Sequence, residues 1–472
     1  MSKESLLFCA SEVYPFAKTG GLADVGHSLP RALQSNYKFT VVLPLYSAIE
    51  RKKYAIKSLN KSFTISMNNI EYKVELFACD YEGIEYIFIY NNLLCDREFL
   101  YGTPTSGYED NALRYAIFCR TIVELLRYNE YKIIHLNDWQ TALVPLFLQE
   151  ESLIKTKTLF TIHNLAYQGV FPYKTLQEIG IDLKYFTMDV LEFYNQVNFM
   201  KAAIAYSDAV TTVSQNYADE ILTANFGCGL DGFLKFHKKK LTGIINGIDS
   251  EDFTPSKDKL LQFPFSNLTQ KKQNKKNYLK EKKLKGINKP LFIFIGRFTS
   301  QKGVDLLIDS LGQIALYECN IAILGDGEKD YQERIANIAK EYDNVHFEFT
   351  YNESLSHQMY AASDFLLMPS LFEPCGLNQM IAMSYGAIPL VHKVGGLKDT
   401  VNDYKLFDKE SSKGYGILFE KPIVDSLINS FDEAIKLYTT KKDYNKIVKH
   451  NMLCDFSWKH SAELYSNLYK KL

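Results

Sequence analysis

Short apolar runs rich in β-branched and aromatic residues alternate with helix-like stretches along all 472 residues of the chain. This alternation is typical of α/β folds, in which a crossover helix joins each strand to the next parallel one. We predict strands at 6–10, 39–43, 73–78, 84–90, 132–136, 158–162, 209–213, 291–295, 320–324, 344–349, 365–368, 388–391 and 416–419. No short-period repeat is visible, so neither a solenoid nor a propeller is expected.

The pattern runs through both halves of the chain. The chain is about three times as long as the ~150 residues that are usual for one domain, so two or three domains are expected. The clearest composition shift lies at residues 271–289, which carry nine lysines and one acidic residue. We predict a solvated helix face and a loop there, and a domain boundary near residues 247–255. The prediction is a doubly wound Rossmann-like domain at 1–250, a second at 251–455 and a packed terminal helix at 456–472.

Charge and cysteine content exclude several classes of protein. The chain has 54 Lys and Arg against 55 Asp and Glu, so nothing global favours nucleic acid or an anionic membrane as a partner. The apolar run at 6–10 is too short for a signal peptide or a membrane span, and we expect a cytoplasmic protein. Eight scattered cysteines without a C-x-x-C pair predict reduced thiols. No D-x-D motif or metal-ligand spacing occurs, so neither a metal nor another cofactor is expected.

Two glycine pairs follow predicted strands and precede helix-like runs. Gly20 and Gly21 come after the first strand with Lys18 beside them, and Gly395 and Gly396 follow the strand at 388–391. Paired glycines let the backbone approach a ligand, and a helix N-terminus favours phosphate. Neither a Walker A loop nor a dinucleotide fingerprint is present. One such turn can be an ordinary connection, but two Rossmann-like domains with one each predict a nucleotide-binding cleft.

Charged residues follow two other predicted strands of the second half. Arg297 and Lys302 come after the strand at 291–295, where they could clamp a pyrophosphate or serve as surface ion-pair partners. Glu373 follows the strand at 365–368 in a loop shaped by proline and glycine. Its carboxylate could fix sugar hydroxyls or stabilise positive charge as a glycosidic bond loosens. Cys375 could serve packing as well as chemistry.

Polar and aromatic residues end two strands of the first half. His163 follows the strand at 158–162, and Asp138 and Trp139 follow the strand at 132–136. A single histidine is often structural, but an indole stacks on sugars and a carboxylate accepts hydroxyl hydrogen bonds. These neighbours favour a sugar-binding rim.

Several segments match one known family in its own order, and the match covers essentially the whole chain. They are KTGGLADV at 18–25, HNLAYQG at 163–169, NGID at 246–249, SQKG at 300–303, EPCGL at 373–377, GGLKDTV at 395–401 and FSW at 456–458. The chain therefore resembles bacterial glycogen synthases and plant starch synthases. The resemblance implies a GT-B fold whose terminal helix returns to the first domain. It also implies retaining, metal-independent transfer of glucose from ADP-glucose to the non-reducing end of an α-1,4-glucan.

The resemblance also assigns roles to residues of this sequence. The implied catalytic residues are Glu373, His163, Arg297, Lys302 and Asp138. The implied donor-binding residues are Lys18, Gly20, Gly21, Asn246, Tyr351, Cys375, Gly376, Leu377, Gly395 and Gly396. The implied acceptor-binding residues are Asp138, Trp139 and Tyr167. In this scheme Glu373 holds the glucose 3- and 4-hydroxyls, His163 bonds the 6-hydroxyl, and Tyr351 stacks on adenine.

The chain departs from the common family pattern at five positions: Asn137, Gln140, Ser384, His392 and Val394. These departures leave acceptor affinity and donor preference open. One alternative is a GT-B transferase that uses UDP-glucose or another acceptor, and a second is a catalytically silent glycan-binding homologue. Against the second, the chain keeps Lys18, His163, Arg297, Lys302 and Glu373 together, and a binder would not need the diphosphate clamp.

Overall fold

The computed structural model describes residues 3–103, 106–150, 155–350 and 352–472 and divides the chain into two compact units. The first comprises Met1–Val213, Ala218–Ile244 and Trp458–Leu472, and the second comprises Ser214–Tyr217 and Ile245–Ser457. The terminal segment from Trp458 therefore belongs to the first unit. The second unit also includes Ser214–Tyr217, and Ser214 Oγ donates to the Pro374 carbonyl at 2.7 Å.

Strands form the centre of each unit. Those of the first unit are β1 (Glu4–Cys9), β2 (Tyr37–Pro44), β3 (Lys57–Met67), β4 (Ile70–Tyr81), β5 (Ile84–Tyr90), β6 (Ile133–Asn137), β7 (Lys157–Ile162), β8 (Val170–Pro172), β9 (Glu192–Phe193), β10 (Gln196–Asn198), β11 (Ala209–Thr212) and β12 (Leu241–Gly243). Those of the second unit are β13 (Leu291–Ile295), β14 (Asn320–Gly325), β15 (Val345–Phe349), β16 (Phe365–Met368), β17 (Ile388–His392), β18 (Val401–Asp403) and β19 (Gly414–Phe419).

Helices connect the strands. In chain order they are α1 (Gly21–Leu33), α2 (Asn92–Cys95), α3 (Asn111–Leu126), α4 (Val144–Gln149), α5 (Thr175–Glu178), α6 (Phe199–Tyr206), α7 (Gln215–Glu220), α8 (Asp231–Phe236), α9 (Leu268–Glu281), α10 (Val304–Ala315), α11 (Lys329–Ala339), α12 (Glu353–Ala362), α13 (Asn378–Ser384), α14 (Gly395–Thr400), α15 (Val424–Thr439), α16 (Lys441–Asn451) and α17 (Trp458–Lys471).

The main sheet of each unit is largely parallel. The first has the order β12-β11-β7-β6-β1-β2-β5-β4-β3, in which the β5–β4 and β4–β3 pairs are antiparallel and the other pairs are parallel. The second has the order β15-β14-β13-β16-β17-β19-β18 and is parallel throughout. Central strands such as β1 and β16 are apolar and buried because helices cover both faces of a parallel sheet. The carboxyl ends of these strands carry the predicted site residues.

All the predicted strands are confirmed, and the structure adds shorter or more exposed ones. The long strand β3 was not predicted, since it lies at the sheet edge and is exposed along most of its length. It therefore lacks the continuous apolar run that marks the central strands.

The lysine-rich segment differs in part from the prediction of a solvated face. Lys271 and Lys275 of α9 are buried. The Lys271 ammonium donates to the carbonyls of Tyr360, Ala361 and Tyr385, at the C-terminal ends of α12 and α13. Burial lowers the pKa of Lys271 to about 7. The prediction is wrong for these two lysines because Lys271 satisfies helix-end carbonyls that lack intrahelical partners. Lys275 forms a buried ion pair with Asp364 at 2.6 Å.

The terminal helix α17 is held in the first unit by buried hydroxyl contacts. Tyr469 Oη lies 2.7 Å from Nδ1 of His135 on β6, and Tyr37 Oη lies 3.1 Å from Ser466 Oγ. These contacts join the last helix to the strands beneath the predicted rim of the first unit.

Candidate active site

The loop between β16 and α13 in the second unit carries Glu373, whose carboxylate is only 7% exposed. Lys302 Nζ donates to both oxygens, at 2.9 Å to Oε1 and 2.7 Å to Oε2. Ser370 Oγ donates to Oε2 at 3.0 Å. The structure thus brings together two residues that are 71 positions apart in the sequence, and a charge-assisted pair fixes the direction of the carboxylate.

Close backbone packing brings Lys302 to Glu373. A Cβ at Gly303 would lie 1.9 Å from the Pro369 carbonyl oxygen, and Gly303 has a φ of 68°. The Leu371 N–H donates to the Gln301 carbonyl at 2.9 Å. Only glycine can occupy position 303 without separating the Lys302 turn from the Glu373 loop.

The glycine pair at the start of α14 supports the same loop from another side. A Cβ at Gly395 would lie 2.0 Å from the Glu373 carbonyl oxygen, and one at Gly396 would lie 2.1 Å from the Cys375 carbonyl oxygen. The Gly396 N–H donates to the Glu373 carbonyl at 2.9 Å. These glycines therefore hold the backbone of Glu373, and their predicted contact with a donor stays a prediction.

His392, one of the departures from the family pattern, also supports this loop. Its Nδ1–H donates to the Ser370 carbonyl at 2.7 Å, and its ring stacks on Phe419. The imidazole is buried and fixes the residue whose hydroxyl contacts Glu373.

Arg297 follows β13 and is exposed. Its guanidinium has no hydrogen bond or ion pair to any residue that the structure describes. A free cation at a strand end remains available to an anionic ligand. Tyr351, predicted to stack on adenine, lies outside the described residues.

Asn246 and Cys375 are neighbours within the second unit. The Asn246 backbone N–H donates to the Cys375 thiol, and burial raises the pKa of that thiol to about 12. Cys375 is therefore a packing residue rather than a nucleophile at neutral pH. Asn246 Oδ1 is buried and has no hydrogen-bond partner in the described part of the chain. Gly376, with a φ of 71°, and Leu377 lead into α13.

In the first unit, Glu12 organises the loop that contains Lys18. Its buried carboxylate accepts from the Thr19 N–H, from the Thr19 hydroxyl at 3.0 Å and from the Gly20 N–H at 3.1 Å. Tyr101 Oη donates to it at 3.2 Å. Burial raises the pKa of Glu12. The Gly20 N–H therefore already has Glu12 as its acceptor, and α1 begins at the next residue, Gly21.

Lys18 itself remains near the surface. Its ammonium lies 2.6 Å from Asp24 Oδ1 in the first turn of α1, and both side chains are about one-third exposed. Such a pair is weak, so the ammonium can be shared with an arriving anion.

Asp138, Asn137 and His163 meet where β6 and β7 end side by side. The Asp138 N–H donates to the Thr161 carbonyl at 3.0 Å, and Asp138 Oδ1 accepts from the His163 N–H at 2.8 Å. His163 Nε2 lies 2.9 Å from Asn137 Oδ1. Asp138 has a φ of 56°, a strained conformation that is frequent at functional sites.

Burial shifts both titratable groups in opposite directions. It raises the pKa of Asp138 to about 7, although the backbone N–H groups of His163 and Asn164 stabilise the carboxylate. It lowers the pKa of His163 to about 3. At neutral pH the imidazole is uncharged and the carboxylate is close to its midpoint, which suits proton-linked chemistry.

Of the aromatic residues predicted on the acceptor side, Trp139 is partly covered. A Cβ at Gly169 would lie 2.8 Å from the indole Cε3, and the ring also packs on Tyr115 and Phe171. Tyr167 is 52% exposed and offers an open ring. Their contact with a glucan stays a prediction.

Sequence reasoning missed the supporting roles of Glu12, Ser370 and Asn137. Glu12 stands at the end of β1 in the same segment as Lys18, and Ser370 stands three residues before Glu373. The available signal was closeness in sequence. Glu12 is an acceptor close to a loop of N–H groups, and Ser370 is a hydroxyl close to a carboxylate.

Two further observations describe the molecule at large. No helix that the structure describes is long and apolar enough to cross a membrane. Over the same residues, no three or more His, Cys, Asp or Glu side chains cluster so that they could hold a metal ion.

Comparison with known proteins gives a consistent result. The family model of the starch synthase catalytic domain matches residues 5–236, and that of glycosyl transferases group 1 matches residues 275–451. The chain is 42% identical to glycogen synthase of Aquifex aeolicus, with 99% of both chains covered, and 40% identical to that of Geotalea daltonii, with 98% covered. It is also similar to the solved catalytic domain of starch synthase IV from Arabidopsis thaliana bound to ADP and acarbose. That match has a TM-score of 0.91 and 33% identity, and it covers 100% of this chain and 99% of the other.

Proposed function

The chain belongs to the family of glycogen and starch synthases, glucosyltransferases that extend glucan chains, and we propose that its donor is ADP-glucose and its acceptor an α-1,4-glucan. Glucose moves to the non-reducing end of the glucan with retention of configuration, and ADP leaves. The ADP bound to the Arabidopsis relative supports this choice of nucleotide.

One observation carries the proposal for the reacting centre, namely the Glu373 carboxylate held by Lys302 and Ser370. As the bond from glucose to the diphosphate loosens, positive charge develops on the sugar ring and negative charge on the leaving group. A preorganised carboxylate stabilises the positive charge on the sugar ring and holds sugar hydroxyls, while an ammonium stabilises the negative charge on the leaving group. Lys302 has three N–H donors, so it can keep Glu373 and still reach a phosphate oxygen.

Arg297 completes the proposed neutralisation of the diphosphate. Its guanidinium is exposed and unpaired among the residues described, and its planar donor set suits phosphate oxygens. With two protein cations in this role, the proposed reaction needs no metal. A chelator is accordingly expected to leave the initial rate unchanged.

The first unit is proposed to supply further contacts to the donor. Lys18, whose ammonium lies near the surface 2.6 Å from Asp24 Oδ1, contributes a further positive charge. Because Glu12 takes the Gly20 N–H, the backbone contribution falls to the first N–H groups of α1, which lack intrahelical partners. His163 bonds the glucose 6-hydroxyl, and Asp138 lies near the acceptor hydroxyl.

Retention is proposed to proceed by attack on the same face through a short-lived oxocarbenium-like ion pair. Among the contacts described within the second unit, Glu373 has Lys302 and Ser370 beside it and no second carboxylate, so a covalent glucosyl intermediate is not invoked. Eight free cysteines favour a reducing compartment such as the cytoplasm as the place of action.

Donor saturation tests this assignment. Initial rates with an α-1,4-glucan primer are measured over matched concentrations of ADP-glucose and UDP-glucose. We expect kcat/KM to be at least about 10-fold higher for ADP-glucose, since one recognised hydrogen-bonding group is worth that much. A preference for UDP-glucose would contradict the proposed donor and leave the family assignment intact.

A further inference from the structure

The imidazole of His163 has two nitrogens in different surroundings. Nε2 lies 2.9 Å from Asn137 Oδ1. Nδ1 has no hydrogen-bond partner among the residues that the structure describes, and the side chain is partly exposed. Whether Nδ1 can accept or donate depends on which nitrogen holds the proton, and the neighbouring amide decides that.

The orientation of the Asn137 amide follows from two backbone carbonyls. Its Nδ2 donates to the Cys9 carbonyl at 3.0 Å and lies 3.4 Å from the His135 carbonyl. Rotating the amide by 180° would set its oxygen against both carbonyl oxygens, and none of the three atoms could donate. Asn137 is fully buried, so water cannot repair that arrangement. The amide oxygen must therefore face His163.

An amide oxygen only accepts hydrogen bonds, so His163 Nε2 must carry a proton. Burial lowers the pKa of His163 to about 3, which makes the ring neutral near pH 7. The nearby titratable groups do not reverse this. His135 is also buried with a pKa lowered to about 3, and Asp138 contacts the backbone N–H of His163 rather than its ring. A neutral imidazole has one N–H, which leaves a lone pair on Nδ1.

We propose that Asn137 is a positioning residue that holds His163 as the Nε2–H tautomer, so that Nδ1 serves only as an acceptor. A ligand group at Nδ1 must then donate a hydrogen bond. The proposed function makes this group the 6-hydroxyl of the donor glucose, and this last step rests on that function. The Asn137 amide thereby selects a sugar with a free hydroxyl at that position against one with an ether, a fluorine or a hydrogen.

Nitrogen NMR of the full-length protein with ¹⁵N-labelled histidine tests the tautomer without any ligand. The His163 signals are assigned by their loss in His163→Gln. We expect a protonated Nε2 and an unprotonated Nδ1 at pH 7, with no titration down to about pH 4. A protonated Nδ1, or a charged ring at neutral pH, would overturn the proposal whatever the protein's substrate.

Donor analogues test the consequence for specificity. Dissociation constants are measured for ADP-glucose and for its 6-deoxy and 6-deoxy-6-fluoro analogues, because fluorine can accept weakly but cannot donate. We expect both analogues to bind about 10-fold or more weakly than the parent and within about 3-fold of each other. Clearly tighter binding of the fluoro analogue than of the deoxy analogue would mean that His163 donates, and would refute the proposal.

A variant separates positioning from simple structural support. In Asn137→Leu, which is similar in size, we expect the affinity ratio of ADP-glucose to the 6-deoxy analogue to fall at least about 3-fold and the Nδ1 signal to change. An unchanged ratio and an unchanged tautomer in this variant would contradict the role of Asn137. If the variant does not fold, the wild-type NMR result still decides the tautomer. If ADP-glucose does not bind at all, the proposed donor fails while the NMR result stands.

Discussion

Lys302 Nζ lies within 2.9 Å of both carboxylate oxygens of Glu373, so the two charges proposed to act on the donor hold each other in its absence. The carboxylate is nearly buried, whereas the ammonium is 24% exposed. This asymmetry means that Lys302 can turn toward a phosphate while Glu373 stays in place with Ser370. The pair holds a nearly buried carboxylate in a fixed direction before substrate arrives.

Replacing Glu373 with Gln should lower kcat by about 100-fold or more, because the neutral amide keeps the shape and loses the charge that stabilises the transition state. Lys302 is exposed enough to be hydrated in this variant, so the fold should be retained. Initial rates with ADP-glucose and a glucan measure the effect, and Glu410→Gln, a largely exposed glutamate of the same unit, is the control. Turnover close to wild type in Glu373→Gln would remove Glu373 from the catalytic assignment.

Glu12→Gln should raise the KM for ADP-glucose by about 10-fold with a smaller change in kcat. The amide can accept only part of the hydrogen bonds that the carboxylate receives from Thr19 and Gly20, so the Lys18 loop loosens. Tyr101→Phe is the matched control, since it removes one donor to Glu12 and leaves the loop contacts. An equal effect of both variants would show that the loop contacts of Glu12 are not what matters.

Gly395→Ala should impair both activity and stability, because its Cβ would lie 2.0 Å from the Glu373 carbonyl oxygen at a φ of 48°. We expect a loss in kcat of about 10-fold or more and a lower midpoint of unfolding. Gly312→Ala, inside α10, has its nearest contact at 3.5 Å and should unfold at the same or a slightly higher midpoint. Thermal unfolding of both variants with parallel rate measurements checks this. Normal activity in Gly395→Ala would show that the Glu373 loop tolerates displacement.

The raised pKa of Asp138, about 7, predicts a pH-dependent stability. A carboxyl whose folded pKa exceeds its unfolded value stabilises the protein below about pH 4, and this contribution is lost as the pH rises to 7. Asp138→Asn stays neutral, so its stability relative to wild type should increase between pH 4 and 7 and then level off. Glu12 titrates in both proteins and raises the pKa of Asp138, so the difference reports Asp138 together with its coupling to Glu12. Denaturant unfolding at pH 5 and pH 8 measures it, and a difference that does not change with pH would contradict the shifted pKa.

Much of the fold followed from the sequence because buried parallel strands are continuous apolar runs. The predicted GT-B class agrees with the match to the starch synthase structure. The edge strand β3 escaped prediction because most of its side chains face solvent. Lys271 was predicted to lie on a solvated helix face, since no residue close to it in the sequence indicates that the C-terminal ends of α12 and α13 meet at its ammonium.

Several residues of the site were predictable from the sequence, but the contacts between them were not. Glycine pairs and charged residues after strands marked Lys18, Lys302 and Glu373. Close backbone contacts explain the glycines at 395 and 396, whereas a Cβ at Gly20 would meet nothing closer than 3.9 Å and one at Gly21 nothing within 4 Å. The pairing of Lys302 with Glu373 was not predictable, because it joins positions 71 residues apart. The contact between Asn137 and His163 was also not predictable from the sequence, since it depends on the orientation of one side-chain amide.

The product of one reaction tests the proposed activity most directly. The protein is incubated with ADP-glucose labelled in the sugar and an unlabelled α-1,4-glucan primer, and the polymer is then digested with an enzyme specific for α-1,4 linkages at non-reducing ends. We expect label to enter the polymer without added metal and to be released by that digestion. Label that stays in free glucose, or polymer label that resists the α-1,4-specific digestion, would contradict the proposed activity.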